Sequence, residues 1–184
     1  VYICLFSVSV IFMTLFARAT SPLSEYYGTD SPIFITMANA LLDGKTLYVD
    51  HFDHKGPVLF FIEALGQLIC KGRTGMFVLE VISFFFVLVL LYKTALIFTH
   101  SLRNIVTVIV SFLFLFCLTI EEGNQTEELS MLFVFASVYI TLRYYYKTHT
   151  LAISDILWMG VCFSTVFWIR PNNAGVICAC IAFI

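Results

Sequence analysis

Long apolar runs separated by short polar turns are the main pattern of this sequence. Each run approaches the roughly 20 residues that a helix needs to cross about 30 Å of hydrocarbon. The runs cover residues 1–17, 76–98, 104–120, 129–146 and 151–169, and a sixth covers 174–184. The pattern predicts an all-α, polytopic integral membrane protein with about five to six transmembrane helices.

Residues 18–75 interrupt this pattern and form the longest connection between two predicted spans. A Ser-Pro start and a glycine stop predict a short helix at 31–43, and a Gly-Pro start predicts a second one at 57–70. Both helices are too short to cross a bilayer, and both have apolar faces. We therefore expect them to lie along the membrane surface.

Composition excludes a soluble domain. Of the 184 residues, 60% are hydrophobic and 12% are charged, whereas soluble domains are about half apolar and about a quarter charged. The net charge of −2 and the scattered basic residues exclude nucleic acid as a partner, so the lipid bilayer is the first expected partner. Because the chain begins and ends inside apolar runs, we expect it to be the N-terminal part of a longer protein.

The long loop concentrates the charge, since residues 18–73 hold 11 of the 22 charged residues. Asp30 comes just before the first short helix, and Lys55 comes just before the second. A carboxylate can take a proton from an attacking hydroxyl, and a cation at a helix N-terminus can hold a phosphate. The pair therefore indicates chemistry on a lipid-linked phosphate. The alternative is that Asp30 only complements the helix dipole and Lys55 only snorkels.

A second candidate group lies between the two short helices. Asp50, Asp53 and His54, together with His51, supply carboxylates and imidazoles, which divalent metals accept as ligands. A polar turn gives the same string by chance, so a divalent metal is an alternative and no metal ligand is assigned. We treat Asp50, Asp53 and His54 as candidate substrate or metal contacts.

The acidic turn between the third and fourth predicted spans is another candidate. Glu121, Glu122 and Glu127 would help to bind a cation or sugar hydroxyls if they face the same cavity as Asp30. The alternative is a solvated hairpin cap. Arg170 follows the fifth predicted span and interrupts the apolar sequence, which makes it a candidate for contacting a lipid phosphate.

The distribution of basic residues indicates the orientation. Lys93, Arg103, Arg143 and Lys147 flank two very short turns, whereas the basic residues of the long loop are diluted over many positions. Dense positive charge is typical of cytoplasmic turns. We therefore expect the long loop to lie outside a bacterial cytoplasmic membrane.

Three loop segments resemble a known family. They are residues 28–31 (Gly-Thr-Asp-Ser), 42–50 (Leu-Asp-Gly-Lys-Thr-Leu-Tyr-Val-Asp) and 53–62 (Asp-His-Lys-Gly-Pro-Val-Leu-Phe-Phe-Ile). Together they resemble the first periplasmic loop of GT-C glycosyltransferases of the family 39 group, relatives of protein O-mannosyltransferases and of the lipid A aminoarabinose transferase. Ser31 stands where those relatives often have a second acid, and Gly56 stands where many have proline.

The resemblance implies a GT-C-like fold and a polyprenyl-phosphate-sugar donor, with Asp30 as the catalytic base and Lys55 near the donor phosphate. We expect a glycosyltransferase that moves the sugar to a hydroxyl of a glycan, lipid or protein outside the cytoplasm, with inversion at the anomeric carbon. Two alternatives stay open. One is a non-catalytic transporter or flippase for lipid-linked sugars, and the other is a truncated inactive remnant.

Overall fold

Helices form most of the backbone in the computed structural model, which describes residues 1–120 and 122–184. In chain order the helices are α1 (Tyr2–Phe16), α2 (Ser31–Leu42), α3 (Pro57–Ile69), α4 (Arg73–Phe98), α5 (Leu102–Thr119), α6 (Thr126–Arg143), α7 (Ile153–Ile169) and α8 (Gly175–Ala182). A π-helical turn, Tyr144–Thr148, extends α6, and a 3-10 turn, Pro171–Ala174, joins α7 to α8. The described residues contain no strand, so the all-α prediction is confirmed for them.

Three helices are long and apolar enough to cross a membrane. They are Arg73–Phe98, Leu102–Thr119 and the combined helix Thr126–Thr148. The predicted spans at 1–17 and 151–169 form shorter apolar helices of 15 and 17 residues. The fold is thus that of a helical protein with several candidate membrane spans, and the total of five to six spans stays a prediction.

The two short helices of the long loop lie close to their predicted positions. Proline in the first turn fits both starts, because the missing N–H has no helical acceptor there. The N-cap of α2 is Asp30, one residue before the predicted Ser31. The next helix, α4, begins at Arg73 and follows α3 at once. A Cβ on Gly75 would lie 1.9 Å from the Gly66 carbonyl oxygen, so glycine permits this close approach of α3 and α4.

Aromatic side chains join the longer helices. The Phe84 ring of α4 stacks on Phe12 of α1 and on Phe116 of α5, with ring centroids 5.1 and 5.3 Å apart. The α2–α3 pair packs beside this layer through a second core cluster that includes Phe34, Leu59, Phe60, Met76, Leu129 and Ile169. Since this cluster contains residues of α2, α3, α4, α6 and α7, it brings the starts of α2 and α3 next to the end of α7.

Helix α3 has an unusual distribution of polar and apolar side chains. Glu63 and Gln67 are buried against the rest of the chain, whereas Phe61, Leu65 and Leu68 are exposed. This is the reverse of a helix that faces water, in which charged residues lie outside. The exposed face of α3 is therefore suited to an apolar environment.

Candidate functional site

The two residues expected to carry the chemistry form an ion pair. The Lys55 ammonium nitrogen lies 3.1 Å from Oδ2 of Asp30. Lys55 is 7% exposed and Asp30 is 37% exposed, so the ammonium is covered while the carboxylate reaches the surface. The Asp30 side chain makes no capping hydrogen bond to α2. Its position is therefore explained by Lys55 rather than by capping of the helix.

The backbone around Lys55 is fixed on several sides. Its N–H donates to Oδ1 of Asp53 at 2.8 Å, and its carbonyl oxygen accepts from the Tyr48 hydroxyl at 2.8 Å. The next residue, Gly56, donates its N–H to the carbonyl oxygen of Ile169 at the end of α7, at 3.1 Å. Burial, followed by the charge of Asp53, raises the pKa of Tyr48, which favours the neutral hydroxyl as a donor. These hydrogen bonds fix the position of the backbone that carries the Lys55 side chain.

Beside Asp30 lies a half-open cavity of about 670 Å³. One wall is polar and comes from the start of α6 and the α7–α8 connection, and the other is largely apolar and comes from α5 and α6. The lining residues are Asp30, Phe116, Thr119, Ile120, Gln125, Glu127, Glu128, Ser130, Met131, Val134, Arg170 and Asn173. Lys55 lies behind Asp30 and is not among the described residues that line the cavity.

Arg170 and Glu127 form a second ion pair at this cavity. Nη1 of Arg170 lies 2.6 Å from Oε1 of Glu127 and 3.4 Å from the Thr126 hydroxyl. Arg170 follows the last residue of α7, and Glu127 lies in the first turn of α6. Nearby, Nδ2 of Asn173 donates to the Ser130 hydroxyl at 3.1 Å. The cavity wall thus contains the Arg170 guanidinium, paired with Glu127, and the Asp30 carboxylate, whose partner Lys55 lies behind it.

Glu122 is not among the described residues that line the cavity, where the sequence placed it as a candidate. Its carboxylate accepts from the Tyr26 hydroxyl at 2.6 Å and from the Thr29 N–H at 2.7 Å. The Tyr26 hydrogen bond, followed by the Thr29 N–H, lowers the pKa of Glu122 below its ordinary value. Glu122 therefore fastens the segment that leads to Asp30. Glu121 lies outside the described residues.

Asp50, Asp53 and His54 lie away from the cavity, and none of them is among its described lining residues. Asp50 accepts from the Thr46 N–H at 2.7 Å, and Asp53 accepts from the Lys55 N–H. His54 is exposed, with Nδ1 3.5 Å from Asp53. The described residues contain no group of three His, Cys, Asp or Glu side chains arranged to hold a metal. Asp50 and Asp53 thus act locally as acceptors for backbone N–H groups.

Three buried carboxyl groups were not expected from the sequence. Glu63, Glu80 and Glu128 are almost fully covered. Glu80 accepts hydrogen bonds from the Thr20 hydroxyl and from the Asn124 N–H. Neither carboxyl oxygen of Glu63 has a partner with full hydrogen-bond geometry among the described residues. Burial raises the pKa of Glu63 to about 8; the nearby Asn124 side chain opposes this shift, and the charge of Glu80 adds to it.

The sequence signal for these groups is an acid inside an apolar helix, which identifies an unusual residue but not its partners.

Comparison with protein-family models, curated proteins and solved structures gives no match for this chain. Its function is therefore inferred from the cavity and the two ion pairs.

Proposed function

We propose that this chain is a membrane glycosyltransferase of the GT-C type, which uses a polyprenyl-phosphate-linked sugar as its donor. The observation that carries the proposal is the Asp30–Lys55 pair at a cavity with one polar and one apolar wall. A base and a cation at such a site match the two needs of sugar transfer from a lipid phosphate. These needs are removal of a proton from the acceptor and stabilisation of the departing phosphate.

In the proposed reaction, Asp30 accepts the proton of an acceptor hydroxyl. The acceptor oxygen attacks the anomeric carbon and forms the new glycosidic bond while the bond from that carbon to the phosphate oxygen breaks. The electron pair of the broken bond leaves with the polyprenyl phosphate. Attack from the face opposite the leaving group inverts the configuration at the anomeric carbon.

The two cations proposed to bind the phosphate each form an ion pair with a carboxylate. Lys55 is paired with Asp30, and Arg170 is paired with Glu127. An incoming phosphate would compete for both cations, since it accepts several charge-assisted hydrogen bonds. Release of Lys55 to the phosphate would leave Asp30 free to accept a proton. Donor binding would thus prepare the base in the same step.

Apolar surfaces next to the cavity support a lipid-linked donor. The cavity wall includes Phe116 of α5, while Phe114, Leu115 and Leu118 on the same helix are exposed. Helix α3 also exposes apolar side chains and buries polar ones. Both features suit contact with hydrocarbon, through which a polyprenyl chain would approach.

The proposed location is a bacterial cytoplasmic membrane with the long loop outside, where the acceptor would be a hydroxyl of a glycan, lipid or protein. The dense basic residues at the short turns support this orientation. No step is assigned to a divalent metal, because the described residues do not bring a set of ligands together. Full activity after exhaustive chelation would agree with that assignment.

The test is sugar transfer by the purified chain in lipid nanodiscs. Undecaprenyl phosphate carrying radiolabelled mannose, glucose, galactose, N-acetylglucosamine or arabinose would be offered with a membrane extract as the acceptor source. We expect transfer from one of these donors, and an Asp30→Asn variant should lose at least about 100-fold in rate, as is typical for loss of a general base. Asp43→Asn is the matched control, because Asp43 is an exposed residue at the end of α2. Near-wild-type transfer by Asp30→Asn would refute the assignment of the base.

A transporter or flippase for lipid-linked sugars is the second candidate. The buried Glu80 and Glu128, which lie on two candidate membrane spans, favour it, since ionisable residues in spans often mark transport pathways. Liposomes that contain the chain and a fluorescent lipid-linked sugar distinguish the two functions. Movement of the lipid between leaflets without sugar transfer, unaffected by Asp30→Asn, would favour the transporter.

A further inference from the structure

The turn that follows α5 is packed against the segment that leads to α2. The Ala19 N–H donates to the carbonyl oxygen of Glu122 at 2.6 Å, which joins the turn to the segment after α1. Asn124, in this turn, is fully buried and has a left-handed backbone with φ of 57°. A buried asparagine in this conformation must have its polar groups satisfied inside the protein.

The backbone N–H and the side-chain Nδ2 of Asn124 both meet this need, whereas its Oδ1 has no hydrogen-bond partner among the described residues. Its N–H donates to Oε1 of Glu80, and the Thr20 hydroxyl donates to the other oxygen of the same carboxylate. Its side-chain Nδ2 donates to the Ser31 hydroxyl at 3.0 Å. Glu80 lies on the long helix α4, so the contacts form a continuous connection from that helix to the start of α2.

This connection ends directly beside the proposed base. Ser31 is 1% exposed and is the residue after Asp30, whose own carboxylate is partly exposed and has Lys55 as its ion-pair partner. The Ser31 hydroxyl is a polar anchor between the first turn of α2 and the core, in addition to the apolar packing of Phe34. A loss of this anchor would let the α2 terminus shift and the Asp30 carboxylate move away from Lys55.

We infer that Asn124, held by Glu80, and Ser31 are positioning residues that keep Asp30 against Lys55. The inference rests on the proposed function only where it concerns catalytic rate. The ion pair itself can be examined without any substrate, because a lysine that is covered and paired reacts slowly with acylating reagents.

Two variants remove the anchor without removing the turn. Asn124→Gly keeps the left-handed backbone and the N–H to Glu80 and deletes the amide that reaches Ser31. Ser31→Ala deletes the other partner. Asn104→Ala is the matched control, since it deletes a similar contact of an asparagine to a hydroxyl, that of Thr99, at the start of α5.

The deciding measurement is acetylation of Lys55 by sulfo-N-hydroxysuccinimide acetate, read by mass spectrometry relative to the exposed Lys71 in the same molecule. In Asn124→Gly and in Ser31→Ala we expect the Lys55 rate to rise at least about fivefold, with no change in Asn104→Ala and no further rise in the double variant. The melting temperature of each variant establishes that it is folded. Unchanged Lys55 reactivity in either folded variant would overturn the inference.

Catalysis supplies a second measurement. A displaced base lowers kcat, and misplacement of reacting groups by about 1 Å can cost about 100-fold. We expect both variants to lose at least about tenfold in kcat, while KM for the donor changes less than about threefold, because the phosphate-binding cations are retained. Equal losses in Asn104→Ala would overturn the inference. Absence of transfer in the wild type would instead refute the proposed function and leave the acetylation result to decide the positioning role.

Discussion

The Lys55 ammonium is 3.1 Å from the Asp30 carboxylate although the two residues are 25 positions apart. Each of them lies at the start of a short helix, and the packing of α2 on α3 makes these starts neighbours. The ammonium also lies 4.9 Å from the centroid of the Phe34 ring, which adds a favourable cation–π contact. The pair is therefore part of the packing of α2 on α3 as well as of the proposed chemistry.

Replacement of Lys55 by methionine should reduce both stability and donor binding. The variant keeps the volume of the side chain but leaves Asp30 without its cation, which we expect to cost about 1–2 kcal/mol. Undecaprenyl phosphate should bind at least about tenfold more weakly, since a charge-assisted contact is lost. Thermal unfolding and equilibrium binding in nanodiscs measure the two effects. Lys71→Met, at an exposed position, should change neither, and a stable variant with unchanged binding would contradict the role of Lys55.

Gly56→Ala should displace the segment that carries Lys55. A Cβ at this position would lie 1.9 Å from the carbonyl oxygen of Trp168, which belongs to the last turn of α7 and cannot move freely. We expect a loss of about 2–4 kcal/mol in the free energy of unfolding, because backbone must shift to relieve the overlap. Thermal unfolding measures this loss.

Gly160→Ala is the control for that substitution. Gly160 lies inside α7 with open space around the added Cβ. Alanine has a higher helix propensity, so this variant should be unchanged or more stable by up to about 1 kcal/mol. Similar stability of the Gly56 and Gly160 variants would show that α7 adapts to the added methyl group.

The sequence was sufficient to select Asp30 and Lys55 as candidates, because the signals that locate each of them are local, whereas their ion pair is seen only in the structure. Proline in the first turn fixes where α2 and α3 begin, and each charged residue comes just before such a start. Arg170 and Glu127 were also identified as candidates, since they are charged residues at the ends of apolar runs. Their pairing with each other depends on how α6 packs on α7, which no local pattern contains.

Glu122 shows why the rest of the site could not be predicted. The sequence treats it in the same way as Glu127, because both belong to one acidic turn. In the structure Gly123 has φ of 87° and Asn124 has φ of 57°, so the backbone reverses between the two acids. Glu122 then faces Tyr26 and Thr29, whereas Glu127 faces the cavity. Such a reversal, and the burial of Glu63 and Glu80, depend on contacts between distant parts of the chain.

Tyr26→Phe should loosen the segment before Asp30. The variant removes the hydroxyl that donates to Glu122, and the Thr29 N–H, which donates to the same carboxylate, should exchange with solvent at least about threefold faster. Hydrogen exchange read by mass spectrometry measures this rate. In the wild type the ionised Glu122 carboxylate stabilises this segment. That stabilisation is fully present above the ordinary carboxyl pKa of 4.5 and is lost as the pH falls through the lowered pKa of Glu122.

The neighbouring tyrosine supplies the control. Tyr27 lies with its ring 4.7 Å from the Arg73 guanidinium, and phenylalanine keeps that contact. Tyr27→Phe should therefore leave the exchange of residues 26–30 unchanged. Equal exchange in both variants would show that Glu122 does not fasten this segment.

Glu63→Gln should make the chain more stable at alkaline pH. Burial raises the folded-state pKa of Glu63 from 4.5 to about 8, so the folded chain keeps a proton that the unfolded chain releases between these values. The wild type therefore loses stability as the pH rises from about 4.5 to about 8 and loses no more from this group above that range. Glutamine is neutral throughout and avoids this loss. Since one pKa unit corresponds to about 1.4 kcal/mol, the free energy of unfolding of the variant should rise by roughly 4 kcal/mol relative to the wild type between pH 5 and pH 8.

Unfolding in nanodiscs across this range measures the gain, with Glu25→Gln as the exposed control. Parallel pH profiles for wild type and Glu63→Gln would show that Glu63 is ionised in the folded chain.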